Sequence, residues 1–127
     1  MVNVTLKASH LYFICNDLRN YAAAEYFSLL GRIKTACVGV ADDDSVAVDV
    51  AVVELIKIFN IIAFKPEGQA NRINTEMMAL LEPQLETGVA AEDPEWVEAA
   101  TAIGNIRINN WAITDNAIAN GKTFVQG

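Results

Sequence analysis

The chemistry-bearing residues of this chain are few. It has one histidine, His10, and two cysteines, Cys15 and Cys37, with no C-x-x-C pair, no G-x-S-x-G elbow and no G-x-G-x-x-G loop. A structural zinc site needs several thiols or imidazoles at short spacing, and dinucleotide or acyl-transfer enzymes need their glycine turns. Cys15 and Cys37 fall within apolar helical patterns, so they read as buried thiols in a reducing compartment. His10 stands near a helix start and reads as a surface or capping residue. Gly121-Lys122-Thr123 resembles the end of a phosphate loop, but Asn116 stands where that motif needs glycine. Asp43 and Glu54 have the end-to-end spacing of a calcium loop, yet Ala47 and Val48 occupy positions that call for an oxygen ligand and a glycine.

The remaining candidates are carboxylates. Glu92, Asp93, Glu95 and Glu98 cluster around a helix start, where acids favour the positive end of the helix dipole. They form a candidate acidic face, either simply solvated or turned toward a basic partner. No general acid or base stands out among them, so the reading is of a protein that is not an enzyme and needs no metal or cofactor.

Charge sharpens the exclusions. Between Arg72 and Arg107 there is no basic residue, while seven acids fall there, and the chain carries a net charge of -7. Phosphate contacts require a basic stripe, and the nine Lys and Arg are scattered, so direct nucleic-acid binding is not expected. The first 20 residues include Lys7, His10, Asp17 and Arg19 and build no apolar core of a signal peptide. Val46 to Phe64 is the most membrane-like stretch, but Asp49, Glu54, Lys57 and Asn60 would be costly at mid-bilayer depth. The expectation is a protein that stays in the cytoplasm where it is made, without a membrane.

These residues must be positioned by one helical domain spanning 1–127, a length sufficient for a core of its own. Val2, Val4 and Leu6 alternate with Asn3, Thr5 and Lys7, the period of a short strand. From Ala8 the apolar spacing changes to three and four, through Leu11, Ile14, Cys15 and Leu18, then Tyr26, Leu29, Leu30 and Ile33. This predicts a helix, a turn near Asn20, and a second helix ending near Gly39. Asp42 to Ser45 read as caps of a third helix over Val46 to Phe64, whose polar residues occupy an arc of about 140 degrees. A fourth helix through Ala70, Ile73, Met77, Leu80 and Leu81 is expected to stop at Pro83, with a loop around Gly88. Asp93-Pro94-Glu95-Trp96 marks a new helix start, with an Asx cap and proline at the first position. Past Gly104 the run to Thr114 fits helix or strand. Asn120-Gly121 reads as a turn before a mobile tail of about six residues. The sequence shows no evident internal repeat. The fold class is therefore mainly α, a small bundle of four to six helices with a short N-terminal β-strand.

The chain is 53% apolar with tyrosine counted, against a usual share of roughly 45 to 50% that counts glycine instead. For a small domain this excess points to burial against another chain. Candidate interface residues are Val53, Ile56 and Phe59 on the apolar third helix, with Trp96 and Trp111 either as aromatic anchors or buried in the helical core. The opening, Val4-Thr5-Leu6-Lys7 followed by Leu11, Ile14, Leu18, Tyr26, Leu29, Leu30 and Ile33, resembles the strand, helix, turn, helix start of small proteins encoded by tailed bacteriophages. It covers about 30 residues, and Asn20-Tyr21-Ala22 replaces the Leu-Pro-Tyr turn that such sequences often carry. The resemblance implies a viral structural protein, in the host cytoplasm or the virion. The function read from the sequence is a structural or assembly subunit acting through protein contacts, as a homo-oligomer or within a larger assembly. The alternative is an acidic inhibitor that covers a basic surface of a host protein.

Overall fold

The computed structural model describes residues 1–21, 24–63, 72–104 and 115–126. The fold is mainly α, with six α-helices and a two-stranded sheet among the described residues. Strand β1 is Val2–Lys7 and leads directly into helix α1, Ala8–Tyr21. A 3-10 turn over Ala24–Tyr26 precedes α2, Phe27–Ala36. Strand β2, Ser45–Val50, pairs with β1, and Ala51 separates it from α3, Val52–Ala63. Then come α4, Arg72–Ala90, α5, Pro94–Ile103, and α6, Asp115–Gln126.

Several expectations are corrected. The stretch read as one helix from Val46 begins as β2, because Val46, Val48 and Val50 alternate inward against β1 while Ser45, Ala47 and Asp49 face outward. Asp42 and Asp44 do not cap a third helix. Their carbonyls accept the N-H groups of Ser9 and Ala8, both at 3.0 Å, and so satisfy the start of α1. Helix α4 runs through Pro83 and Gly88 instead of ending near Glu82. An internal proline costs about 3 kcal/mol, so packing elsewhere must hold this helix. The expected mobile tail, through Gln126, is the last turn and a half of α6.

The order of elements also repeats, which inspection of residue identities does not reveal. The order strand, helix, helix occurs twice, about 44 positions apart, as β1-α1-α2 and β2-α3-α4. Buried positions correspond: Leu11 with Leu55, Ile14 with Ile58, Cys15 with Phe59, Leu18 with Ile62, Ile33 with Met77 and Cys37 with Leu81. Both first helices are capped alike. His10 Nδ1 accepts the Lys7 N-H at 3.4 Å, and Glu54 Oε1 accepts the Ala51 N-H at 2.8 Å, in each case a third-position side chain reaching back to the N-cap amide. His10 is therefore capping but fully buried, not a surface residue.

The chain packs as two compact units. The first comprises Met1–Val4 and Asp49–Ile113. Within it α3 packs on α4 and α5, and α4 on α5, while Asn3 Nδ2 donates to Asp49 Oδ1 at 3.1 Å across the strands. The second comprises Thr5–Val48 and Thr114–Gly127, with α1 packed against α2 and α6. There Gln126 Nε2 donates to the Tyr12 hydroxyl at 3.0 Å and the Cys37 carbonyl at 2.7 Å. Arg19 and Lys34 lie over the Phe124 ring at 5.3 and 4.7 Å, a stabilising arrangement for cations.

Gly121 explains why α6 overrides its Asn-Gly turn signal. A Cβ at this position would collide with the Tyr12 carbonyl oxygen, so only glycine lets α6 approach the α1 backbone this closely. We expect Gly121→Ala to lose roughly 2 to 3 kcal/mol in urea unfolding. Gly31→Ala is the control, because a Cβ there meets nothing within 4 Å and should add about 1 kcal/mol through helix propensity.

Candidate functional site

The thiols are spectators. Cys15 and Cys37 are both free and fully buried, and burial pushes the Cys15 thiol up to about 12 and raises that of Cys37. Such groups stay protonated and unreactive near neutral pH. Lys122, from the phosphate-loop-like triplet, lies in α6 and donates to Asp42 Oδ1 at 2.8 Å. That hydrogen bond raises its pKa. Glu54 is buried at the start of α3, holding the Ala51 amide.

The candidate interface divides. Val53 is 57% exposed and Ile56 half-buried, but Phe59 and Trp96 are buried within the first unit. As candidates for an exposed interface these two are corrected, and the core reading of Trp96 holds: α3 turns Phe59 inward, and Trp96 is 8% exposed because it lies on α4. Trp111 lies outside the described residues.

The contact that places Trp96 begins with Gly88. A Cβ on Gly88 would strike Trp96 at Cγ and Cδ1 and lie 2.7 Å from its Cβ. The indole therefore occupies the space a side chain would fill. Two residues later α4 closes, with Glu92 N-H bonding to the Val89 carbonyl and Asp93 N-H to that of Gly88, at 3.0 and 3.1 Å. This is the paired hydrogen-bond pattern of a helix end with its turn residue in the left-handed region. Glu92 adopts φ 59 there, where glycine is favoured. Asp93 then caps α5, accepting from Glu95 N-H at 3.0 Å and Trp96 N-H at 3.5 Å, as the sequence predicts.

Beside this corner lies a cleft of about 400 Å³. Pro83, Gly88, Ala91 and Trp96 give it an apolar lining, and Asn3, Gln84, Thr87 and Asp93 add polar edges. Along α4, Leu80, Pro83, Gln84 and Thr87 follow one another at the spacing of a single helix face. Leu80 at 40% exposure extends that face beyond the cleft.

The acidic residues take different roles around it. Asp93 lines the cleft but is engaged as the cap. Glu95 is half-exposed and pairs with the Met1 amine at 3.1 Å. Glu92 and Glu98 are exposed, as is Glu86 on α4, which sequence reasoning did not single out. The cleft was also missed. Its one sequence signal, the spacing of Leu80, Pro83, Thr87 and Ala91, is hidden once Pro83 is taken as a helix stop.

Two substitutions at this corner should move stability in opposite directions. Gly88→Ala displaces Trp96 and is expected to cost roughly 2 to 3 kcal/mol, with loss of near-ultraviolet circular dichroism. Glu92→Gly relieves the positive φ and should add up to about 1 kcal/mol in the same unfolding measurement.

The chain matches no protein family model, no curated protein and no solved structure. Its function is accordingly read from this geometry.

Proposed function

We propose that this chain is a non-enzymatic structural or assembly subunit that acts through protein-protein contacts, as a homo-oligomer or within a larger assembly such as a phage virion. The observation that carries this reading is exposed aliphatic surface on α3, α4 and α5 of the first unit. Val53 on α3, Val89 on α4 and Val97 on α5 are 57%, 39% and 40% exposed. A covering surface would take these branched aliphatics out of water. The apolar excess of the composition supports the same reading. Phe59 and Trp96 contribute from inside, by stiffening the helices that present these residues.

Charge favours a second reading, an acidic inhibitor of a basic host surface. By sequence the first unit holds ten of the sixteen acids and four of the nine bases, a net -6, against six and five in the second, a net -1. Such asymmetry steers a basic partner toward one unit.

Light scattering after size exclusion, over a concentration series at two salt concentrations, separates the two. The assembly reading predicts a mass above 13.8 kDa that grows with concentration and survives high salt, because apolar burial is not screened. A concentration-independent monomer would contradict self-assembly and favour the inhibitor.

A further inference from the structure

We propose that the seat of α6 on α1 and α2 also receives the α6 of a second copy, so that chains associate by exchanging this helix. The inference rests on the protein-contact reading and names the partner as another copy of this chain.

The hydrogen bonds that seat α6 reach residues remote in sequence. Lys122 meets Asp42, 80 positions away, and Gln126 meets Cys37 and Tyr12, 89 and 114 positions away. The chain leaves the second unit after Val48, builds the first over Asp49–Ile113, and returns at Thr114. None of these bonds requires the helix and its seat to belong to one chain. An α6 from a neighbour makes the same contacts, which is the condition for exchange of an element between copies.

The helix buries little of its own. Among its described side chains only Val125 is buried, Ile118 and Phe124 are half-buried, and the rest are exposed. Lifting α6 away therefore takes little of its own apolar surface into water, as for elements that open short of global unfolding. The seat it leaves is different, because Tyr12 and Cys37, both fully buried, lose the Gln126 contacts that cover them. An open seat is refilled by its own helix or by a neighbour's.

The seat also selects its occupant. Its closest approach admits only glycine, since a Cβ at Gly121 would collide with the Tyr12 carbonyl oxygen. Phe124 must then meet Arg19 and Lys34, and Gln126 must bridge Tyr12 and Cys37. An α6 carries all three features at the required spacing. Its charge does not oppose exchange, because Asp115 and Lys122 are the only charged side chains in Asp115–Gln126 and they cancel.

The test joins Lys122 to Asp42, 2.8 Å apart and half-exposed, with a zero-length carbodiimide in the full chain. Asp42→Asn and Lys122→Gln chains are prepared separately, and neither can form this cross-link alone. Mixed in equal amounts at rising concentration, they are expected to form it with a limiting yield about one quarter of the unaltered protein's. Exchange at random brings an intact Lys122 to an intact Asp42 in about one seat of four. Should either variant fail to fold, nitrogen-14 and nitrogen-15 forms of the unaltered chain give the same reading, with mixed labels in up to about half of the cross-links. The Met1 amine and Glu95, 3.1 Å apart in the first unit, are the control, and their cross-link should keep a single label. Mixed labels at both pairs would overturn the proposal, because more than α6 has then changed chains. An oligomer whose Lys122–Asp42 cross-links stay single-labelled overturns it too, but spares the protein-contact reading, which then uses another surface. A monomer at every concentration, with single-labelled cross-links, removes both the exchange and self-assembly.

Discussion

The seating of Trp96 on Gly88 is the constraint on which the rest of the first unit depends. Truncating a buried tryptophan typically costs about 3 to 5 kcal/mol, a large share of the roughly 5 to 15 kcal/mol that holds a small domain together. The other devices at this corner are weaker. The Asp93 cap contributes about 1 kcal/mol, and the half-exposed pair of Glu95 with the Met1 amine between zero and about 1. The indole, more than its polar neighbours, therefore decides where α5 lies on α4. It also offsets the cost of carrying Pro83 within α4 and a left-handed Glu92 in the turn that follows. The cleft follows from this placement, since Trp96 is part of its lining.

A related device recurs in the second unit with different partners. Gly121 removes a side chain so that α6 can meet the α1 backbone at Tyr12, and Gln126 then bridges Tyr12 and Cys37. In each unit a glycine that permits close approach thus fixes one helix, α5 or α6, and specific hydrogen bonds follow within a few residues. The two strand-helix-helix segments share buried positions and an N-terminal cap, and each added helix packs on both helices of its own segment, α5 on α3 and α4, α6 on α1 and α2. The first unit combines exposed aliphatics, a cleft and a strong excess of acid, while Phe27 and Val38 are exposed in the second.

What could be read from the sequence follows the range of the interactions involved. Strand β1, helices α1 and α2, and the Asp93-Pro94 start of α5 were legible because period and caps are local signals. Strand β2 was not, because its alternating valines run without interruption into an apolar helix. The length of α4 and the existence of α6 were misread for a common reason: Pro83 and Asn120-Gly121 are local breakers, overruled by contacts many residues away in sequence. The repeat was masked because aliphatics replace one another freely at equivalent buried positions. At the site, the acidic residues were legible as a group, whereas the cleft was not. Nothing local says that Gly88 makes room for an indole eight residues on.

The α4–α5 corner depends on Trp96 being sealed against α4. Acrylamide quenching of fluorescence in the Trp111→Phe protein isolates this indole, since the chain has two tryptophans. The structure predicts blue-shifted emission that quencher reaches slowly and that becomes solvent-like only on unfolding. Red-shifted emission quenched as readily as a free indole in the folded protein would contradict the α4–α5 corner and the cleft built on it.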